Sequence, residues 1–438
     1  MIKITKFGGS SVADADQFAK VKSIIEADNT RRFVVVSASG KRFKGDNKIT
    51  DLLFLCHAHV TYHVDYMPLW HTIEERFIGI RDALGLKTPI EEELAAIGKA
   101  LPDMSVDEIV SRGEYITARL MSEYLGFPFV DAKDVIAIRY DGSFDYEAME
   151  VNLVKVLEQH DRFVIPGFYG SLPNGKIRVM SRGGSDITGS LLARCLNADV
   201  YENWTDVSGF LMVDPRIVPN PKNIERITFS ELRELSYMGA SVLHEEAVFP
   251  LREQNIPIHV LNTNRPQDPG TIVRDSIEEV SGPLMTGIAG KKNFIGIEIS
   301  KKHMSNEVGF IRRVLEIFEQ YEVSIEHVPS GIDSISLVVN RADVENNIYE
   351  LIADIKKAVK PDLVRVTEPL ALIAIVGRNM NSRPGTSAKL FTALGNAGIN
   401  IRMISQGSAE LNIIVGVNNE DLNKAVECLY NTFSEERI

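Results

Sequence analysis

The segment Ile2–Gly40, IKITKFGGSSVADADQFAKVKSIIEADNTRRFVVVSASG, decides the fold class. It opens with a short β-branched run, Ile2–Lys6, turns on two glycines, and continues as an amphipathic stretch over 14–27. A second apolar run follows at Phe33–Ser37. Strand, helix and strand within forty residues predict a parallel pair joined by a crossover helix, because parallel neighbours cannot be linked by a tight hairpin.

The same alternation continues to about Asn262. Further strands are expected at Phe127–Val130, Phe163–Pro166, Asp199–Glu202 and Ile258–Leu261. Helical patterns fall at 48–63, 70–84, 106–125, 145–160, 185–197 and 228–254, the last broken near Gly239. This is an α/β layer fold with a largely parallel sheet covered on both faces. The stretch 263–283, TNRPQDPGTIVRDSIEEVSGP, is dense in Pro, Gly, Asp and Ser and reads as a boundary.

Beyond the boundary the sequence repeats. A constant shift of 76 residues lays Gly309 on Gly385, Val323 on Ile399, Ile325 on Ile401 and Gly331 on Gly407. It also brings Ile297 and Ile299 onto Ile373 and Ile375, and Ile335, Leu337 and Val339 onto Leu411, Ile413 and Val415. Two copies of one unit follow, each reading strand, helix, strand, strand, helix. The first closes with a strand at Leu363–Val366, whereas the second ends without one. Leu284–Ala289 has no other partner, so 284–290 is expected to complete the C-terminal copy and cover its bare edge.

The chain has 438 residues, with 48 Lys plus Arg against 60 Asp plus Glu and a net charge of -12. That length suggests two or three domains. The acidic balance argues against nucleic acid or an anionic membrane as partner, so an anionic ligand must meet a local cluster of cations. Cys56, Cys195 and Cys428 lie far apart and show neither a disulfide framework nor a metal-ligand spacing, and no metal site is expected. The N-terminus lacks an apolar export segment and no long apolar run occurs, so a cytoplasmic place is expected.

Two loops carry the first chemical signals. In KFGGSS, Lys6–Ser11, glycines allow close backbone approach to an anion while Lys6 supplies a point charge, although a strand–Gly–Gly–helix turn by itself is more often just tight geometry. In SRGGSDITGS, Ser181–Ser190, Arg182 is suited to grip a carboxylate in two places and Ser185 or Asp186 to cap a helix. A plain N-cap explains Asp186 equally well. Two such loops in one α/β domain suit a phosphoryl donor and an anionic acceptor. VSRGEYITARLM places Glu114 in a helical stretch interrupted by Gly113, where a solvated glutamate is the ordinary outcome. TDVSGFLMVDPR, Thr205–Arg216, is a turn-rich segment after a strand.

The ordered set KFGGSS, VVVSASG with KITDLL, VSRGE, RGGSD, TDVSG, DPR and MGASVLH resembles the aspartate kinases of the amino acid kinase family, followed by paired ACT regulatory domains. The resemblance covers essentially the whole chain. It implies an amino acid kinase-type largely parallel sheet between helices over 1–275, then two ferredoxin-like (βαββαβ) ACT domains, 291–367 and 368–438, the second completed by 284–290. It implies ATP-dependent phosphorylation of the L-aspartate side-chain carboxylate with Mg²⁺, the first step toward lysine, threonine, methionine and diaminopimelate.

Carried across residue by residue, the resemblance gives Lys6, Gly8, Gly9 and Ser10 to the ATP phosphates and Thr205, Asp206 and Arg216 to the nucleotide. Ser37, Thr50, Glu114, Phe168, Arg182, Ser185 and Asp186 would surround aspartate, with Lys6, Arg182 and Asp186 as the catalytic set. Similarity to lysine-inhibited relatives points to Met304, Glu307, Gly309, Phe310, Ser324, Ile325, Glu326 and Ser330 as an effector site, lysine first and threonine second, with a homodimer or dimer of dimers formed through the ACT units.

Two departures bear on the charge balance. Where the family commonly shows GAKVLHP this chain has GASVLHE, placing Ser241 and Glu245 at the lysine and proline positions, and Leu211 stands where many relatives have tyrosine. The segment GKRFKGDNK, 40–48, carries four cations, so Lys41 or Lys44 is expected to replace the missing charge. The competing readings are a glutamate-type kinase of the same fold and a catalytically inactive amino-acid sensor. Retention of Lys6, Arg182 and Asp186 argues against the sensor.

Overall fold

The computed structural model describes residues 1–181, 183–239, 243, 245–277, 284–367, 369–378, 380, 383–407 and 411–434. Arg182 and Ser241 lie outside the described residues. The chain divides into two compact units. The first comprises Met1–Phe210, Asn223–Phe229 and Val242–Ile277. The second comprises Leu211–Lys222, Ser230–Ser241 and Glu278–Ile438. Among the described residues no helix is long and apolar enough to cross a membrane.

The main helices of the first unit are α1 Ala15–Glu26, α2 Ile49–Thr61, α3 Met67–Leu84, α4 Ile90–Ala100, α5 Val106–Leu125, α6 Tyr146–Leu157, α7 Gly184–Cys195 and, after α8 Phe229–Tyr237, which from Ser230 on belongs to the second unit, α9 Glu245–Glu253. Its main strands are β1 Lys3–Phe7, β2 Arg31–Val36, β3 Phe163–Pro166, β4 Val200–Thr205, β5 Arg226–Thr228, β6 Ile258–Asn262 and β7 Thr271–Arg274. They form a seven-stranded sheet in the order β3-β2-β1-β4-β6-β7-β5. Every pairing in it is parallel except β6 with β7. Continuous apolar strands such as Phe33–Val36 are buried because helices cover both faces.

Local chemistry sets the helix ends. Asp14 accepts the Gln17 N–H at 3.0 Å to start α1. Ser105 and Glu108 form a reciprocal capping box at the start of α5, and Gly126 ends that helix at φ 67°.

Two expectations are corrected and one helix is added. Phe127–Val130 is not a strand: it contributes only a Phe129–Val164 bridge, and Pro128 has no N–H to continue a ladder. The boundary stretch 263–283 contains β7, whose Ile272 and Val273 pair with β6 and hide among turn residues. The helix α4 went unread, although Ile90, Leu94 and Ile97 form a buried stripe at helical spacing.

In the second unit the repeat is visible in the elements β8 Gly287–Ser300, α10 Phe310–Gln320, β9 Ser334–Asn340, α11 Ile348–Val359 and β10 Leu363–Val366, then β11 Leu370–Val376, α12 Thr386–Asn396, β12 Met403–Ser405, β13 Asn412–Asn418 and α13 Leu422–Phe433. Gly309 and Gly385, at φ 77° and 91°, occupy the same position just before α10 and α12.

The strand β8 serves both copies. Gly287–Lys291 runs antiparallel to Leu372–Val376 of β11, whereas Phe294–Ser300 pairs with β9 and Ile297–Ser300 with β10. Between the halves the register shifts, and Asn293 takes φ 69°. The second strand expected in the first copy reduces to bridges at His327–Val338 and Ser330–Ile335, with Pro329 between them.

Candidate active site

The site lies at the carboxyl ends of β1, β2 and β4, where open α/β sheets present their ligand crevice. A cavity of about 1080 Å³ is lined there by Lys6, Gly8, Gly9, Ser10, Ser37, Thr50, Glu114, Phe168, Ser185, Asp186, Thr205 and Asp206, which brings together twelve of the nominated residues. Ser181 and Gly183, which flank Arg182, line the same cavity. Arg216 does not: it is exposed in a segment of the second unit and pairs with Asp214 at 2.6 Å.

The first glycine turn is shaped by close backbone approach. Gly8 N–H donates to Trp204 O at 3.0 Å, and Gly40 N–H donates to Gly9 O at 2.8 Å. A Cβ on Gly40 would stand 2.6 Å from the Gly9 carbonyl carbon, so the two turns fit only as glycines. The second turn enters α7 through Gly183 at φ 80°.

Lys6 and Asp186 unite the turns. The ammonium stands 2.5 Å from Asp186 Oδ1, with both side chains largely buried. Asn203 Nδ2 donates to the same oxygen at 2.7 Å and fixes its direction. Phe168 takes φ 77°, rare for an aromatic residue, and is held there by its N–H to Thr188 Oγ1 at 3.0 Å and by its carbonyl, which accepts Met180 N–H at 2.8 Å.

Glu114 departs most from a solvated glutamate. It is 4% exposed, and among the described residues its Oε2 has no hydrogen-bond partner. Burial pushes its carboxyl up to about 8, although the Ala38 N–H favours the ionised form. Gly113 makes this placement possible, since a Cβ there would meet Ala38 Cβ at 2.9 Å. A buried carboxyl with an empty acceptor site is suited to a ligand ammonium.

Sequence reasoning missed Lys48, Ser39, Gly40, Asp51 and Phe54, which also line the cavity, and Asn203, which orients Asp186. Lys48 stands directly before ITDLL, at the start of α2, a position that marks it as near the site. Of the two cations expected to reach in, Lys41 lines the cavity and Lys44 does not.

The nominated effector residues fall in the second unit. Met304 and Phe310 are buried, Gly309 precedes α10, and Ser324 and Ser330 are exposed. Glu307 is already compensated, by Lys301 at 2.6 Å and by Arg313. Half-buried Glu326, beside half-buried Ile325, accepts the Tyr237 hydroxyl at 2.5 Å.

Comparison with known proteins agrees with this geometry. The amino acid kinase family model matches residues 1–262 and an ACT domain model matches residues 373–433. The chain is 37% identical over 448 aligned positions to aspartokinase 3 of Bacillus subtilis, covering 99% of this chain and 98% of that protein. Aspartate kinase of Clostridium acetobutylicum superposes with a TM-score of 0.91 and 47% identity, over 99% of both chains. Aspartokinase III of Escherichia coli, solved with aspartate and ADP, gives a TM-score of 0.75 at 28% identity, over 99% of this chain and 100% of that one. The chain therefore belongs to the amino acid kinase family, among the aspartate kinases with C-terminal ACT domains, phosphotransferases whose acceptor is a carboxyl group.

Proposed function

We propose that the chain transfers the γ-phosphoryl group of MgATP to the side-chain carboxylate of L-aspartate, giving 4-phospho-L-aspartate, at the entry to lysine, threonine, methionine and diaminopimelate synthesis. The observation that carries this reading is the Lys6–Asp186 pair, set between two glycine turns on a cavity that also holds the unpartnered Glu114. The complex of Escherichia coli aspartokinase III with aspartate and ADP supports the same pair of ligands here.

A carboxylate with an ordinary pKa of about 4 is already a competent nucleophile at neutral pH, so no general base is required. The obstacle is the approach of two anions. Alignment and charge neutralisation must therefore supply most of the catalysis. Lys6 and the turn of Gly8, Gly9 and Ser10 hold the phosphates, the glycines by letting the backbone approach closely, with Asp186 keeping the Lys6 ammonium aimed into the cavity before ATP arrives. Glu114 receives the aspartate ammonium, and Arg182 grips its α-carboxylate. Ser37, Thr50, Phe168 and Ser185 enclose the amino acid, and Thr205 and Asp206 meet the nucleotide. Mg²⁺ supplies further charge neutralisation when bound with ATP, and the carboxylates of Asp51, Asp186 and Asp206 are hard oxygen donors suited to it.

The reading assigns catalysis to 1–275 and regulation to two ACT domains, 291–367 and 368–438 with 284–290. Lysine is the first candidate effector and threonine the second. A structure of Escherichia coli aspartokinase III with lysine and aspartate supports that order, and Glu326 offers a carboxylate for the effector's amine. Assembly is a homodimer or a dimer of dimers, supported by a groove of about 750 Å³ along α10 lined by Leu315, Phe318, Val323, Ile325 and Val328. The protein works in the cytoplasm, where its three free cysteines stay reduced.

The test is trapping of acyl phosphate as hydroxamate with ATP, Mg²⁺ and L-aspartate, repeated with lysine and with threonine. Aspartate-dependent hydroxamate supports the kinase. Its absence favours the sensor reading, and equal turnover with glutamate favours the glutamate-type kinase.

A further inference from the structure

Among the described residues three ammonium groups line the cavity, those of Lys6, Lys41 and Lys48. Lys6 is engaged by Asp186 at 2.5 Å. Lys41 and Lys48 are exposed, and neither has a carboxylate within ion-pair distance among the described residues. Both come from the loop 40–48, between β2 and α2.

This loop is not held by apolar burial, since only Gly40 and Asp46 within it are buried. Asp46 closes it from inside, accepting the Arg42 N–H at 3.0 Å and the Arg42 guanidinium at 2.9 and 3.1 Å. Arg76 of α3, with a side chain 3% exposed, then donates to both Asp46 oxygens at 2.8 Å and to the Gly40 carbonyl at 3.0 Å. Gly40 in turn binds the Gly9 turn through its N–H. Hydrogen bonding from Arg42, reinforced by Arg76, holds the Asp46 carboxyl well below the usual carboxylate range.

A solvated lysine-rich loop has no need of such an anchor. Burying an arginine–carboxylate pair costs desolvation energy that only good geometry recovers, so the clamp implies a loop whose position matters. What it positions is a part of the cavity wall that carries two uncompensated cations and is joined to the first glycine turn through Gly40.

We infer that the loop 40–48 is a strap presenting Lys41 and Lys48 to the polyphosphate of the nucleotide, with Arg76 and Asp46 as its positioning residues. This deepens the kinase reading and rests on it.

The test uses the full chain with Lys41→Ala, Lys48→Ala and the double variant, each with and without Asp46→Asn. The readouts are kcat, the KM for each substrate, and the Kd for ADP by calorimetry, which needs no turnover. The expected result for the double lysine variant is an ADP Kd raised and kcat/KM for ATP lowered about 10-fold or more, as loss of charge-assisted contacts predicts, with KM for aspartate changed less than about twofold. Asp46→Asn should weaken ADP in the parent and add nothing once both lysines are gone, and Asp46→Glu should restore part of the loss. An unchanged ADP Kd in the double lysine variant, a loss shared equally by aspartate, or the same penalty from Asp46→Asn in both backgrounds overturns the strap. A parent that binds ADP without aspartate-dependent turnover overturns the proposed function instead, and the ADP measurements still decide on the strap.

Discussion

Lys6 Nζ stands 2.5 Å from Asp186 Oδ1, a contact that ties the first residue of one glycine turn to the helix entered by the other. Two segments distant in sequence thereby share one charge balance. Lys6→Ala should lower kcat by about 10³ or more, since it removes a cation aimed at developing phosphate charge. Because the pair is largely buried, Asp186→Asn should also lower apparent stability by about 3 kcal/mol, measured by denaturant unfolding without ligand.

Glu114 gives a pH signature. Its carboxyl sits at about 8 in the folded chain against an ordinary 4.5. Between those values the unfolded chain has released a proton that the folded chain retains, so this group's contribution is fully present below 4.5 and is lost as pH rises through 8. Binding of an ammonium favours the ionised form, so aspartate should release a large fraction of a proton per site at pH 7, read by calorimetry in buffers of different ionisation enthalpy. No buffer dependence would exclude an ammonium at Glu114.

Glu114→Gln separates stability from binding. It keeps the shape, removes the group that resists ionisation, and should stabilise the ligand-free chain by about 1–3 kcal/mol at pH 8.5. It should also raise the aspartate KM by about 100-fold, the cost of an unpaired ammonium. Thermal unfolding at two pH values and initial rates measure both effects.

The close fit of Gly40 against Gly9 makes a steric prediction. Gly40→Ala puts a methyl group 2.6 Å from the Gly9 carbonyl carbon, and backbone cannot yield as a side chain can. A loss of about 2 kcal/mol in stability and of ADP binding by calorimetry is expected. Gly79→Ala, on α3 with open space around its Cβ position, should be neutral or slightly stabilising.

Much of this was readable in sequence, and the limits have physical causes. The strand Arg31–Val36 is legible through the unbroken apolar run Phe33–Val36 that a buried parallel strand needs, and Lys3–Phe7 through β-branched Ile4 and Thr5 leading into a glycine turn. The strand Thr271–Arg274 was not, since four residues among Pro, Gly and Asp carry no period long enough to register. Lys6 and Asp186 were each marked by their glycine turn, but their contact depends on parallel register that no local pattern encodes. Glu114 was legible only through family resemblance. Arg76 gave no signal, because an arginine on an amphipathic helix is ordinarily solvated and its burial depends on Asp46 arriving from another element.

Tyr237 and Glu326 test the regulatory reading. If the effector's amine takes the place of the Tyr237 hydroxyl on that carboxylate, Tyr237→Phe removes the competitor. The lysine concentration for half inhibition should fall about 3–10-fold, the net worth of one solvent-exposed hydrogen bond, while Glu326→Gln should abolish inhibition. Dose–response curves at fixed substrates measure both, and unchanged curves would remove Glu326 from the effector site.

The strand Gly287–Ser300 has a consequence for dissection of the molecule. One ribbon supplies the outer rung of one repeat and the inner rung of the other, so a cut between the repeats at residue 368 strands a sheet with its flank open. A fragment begun there should scavenge the missing ribbon from a neighbour and pass into polymers, whereas a fragment begun at Leu284 should stay discrete. The repeats are thus inseparable by scissors even though they are countable by eye.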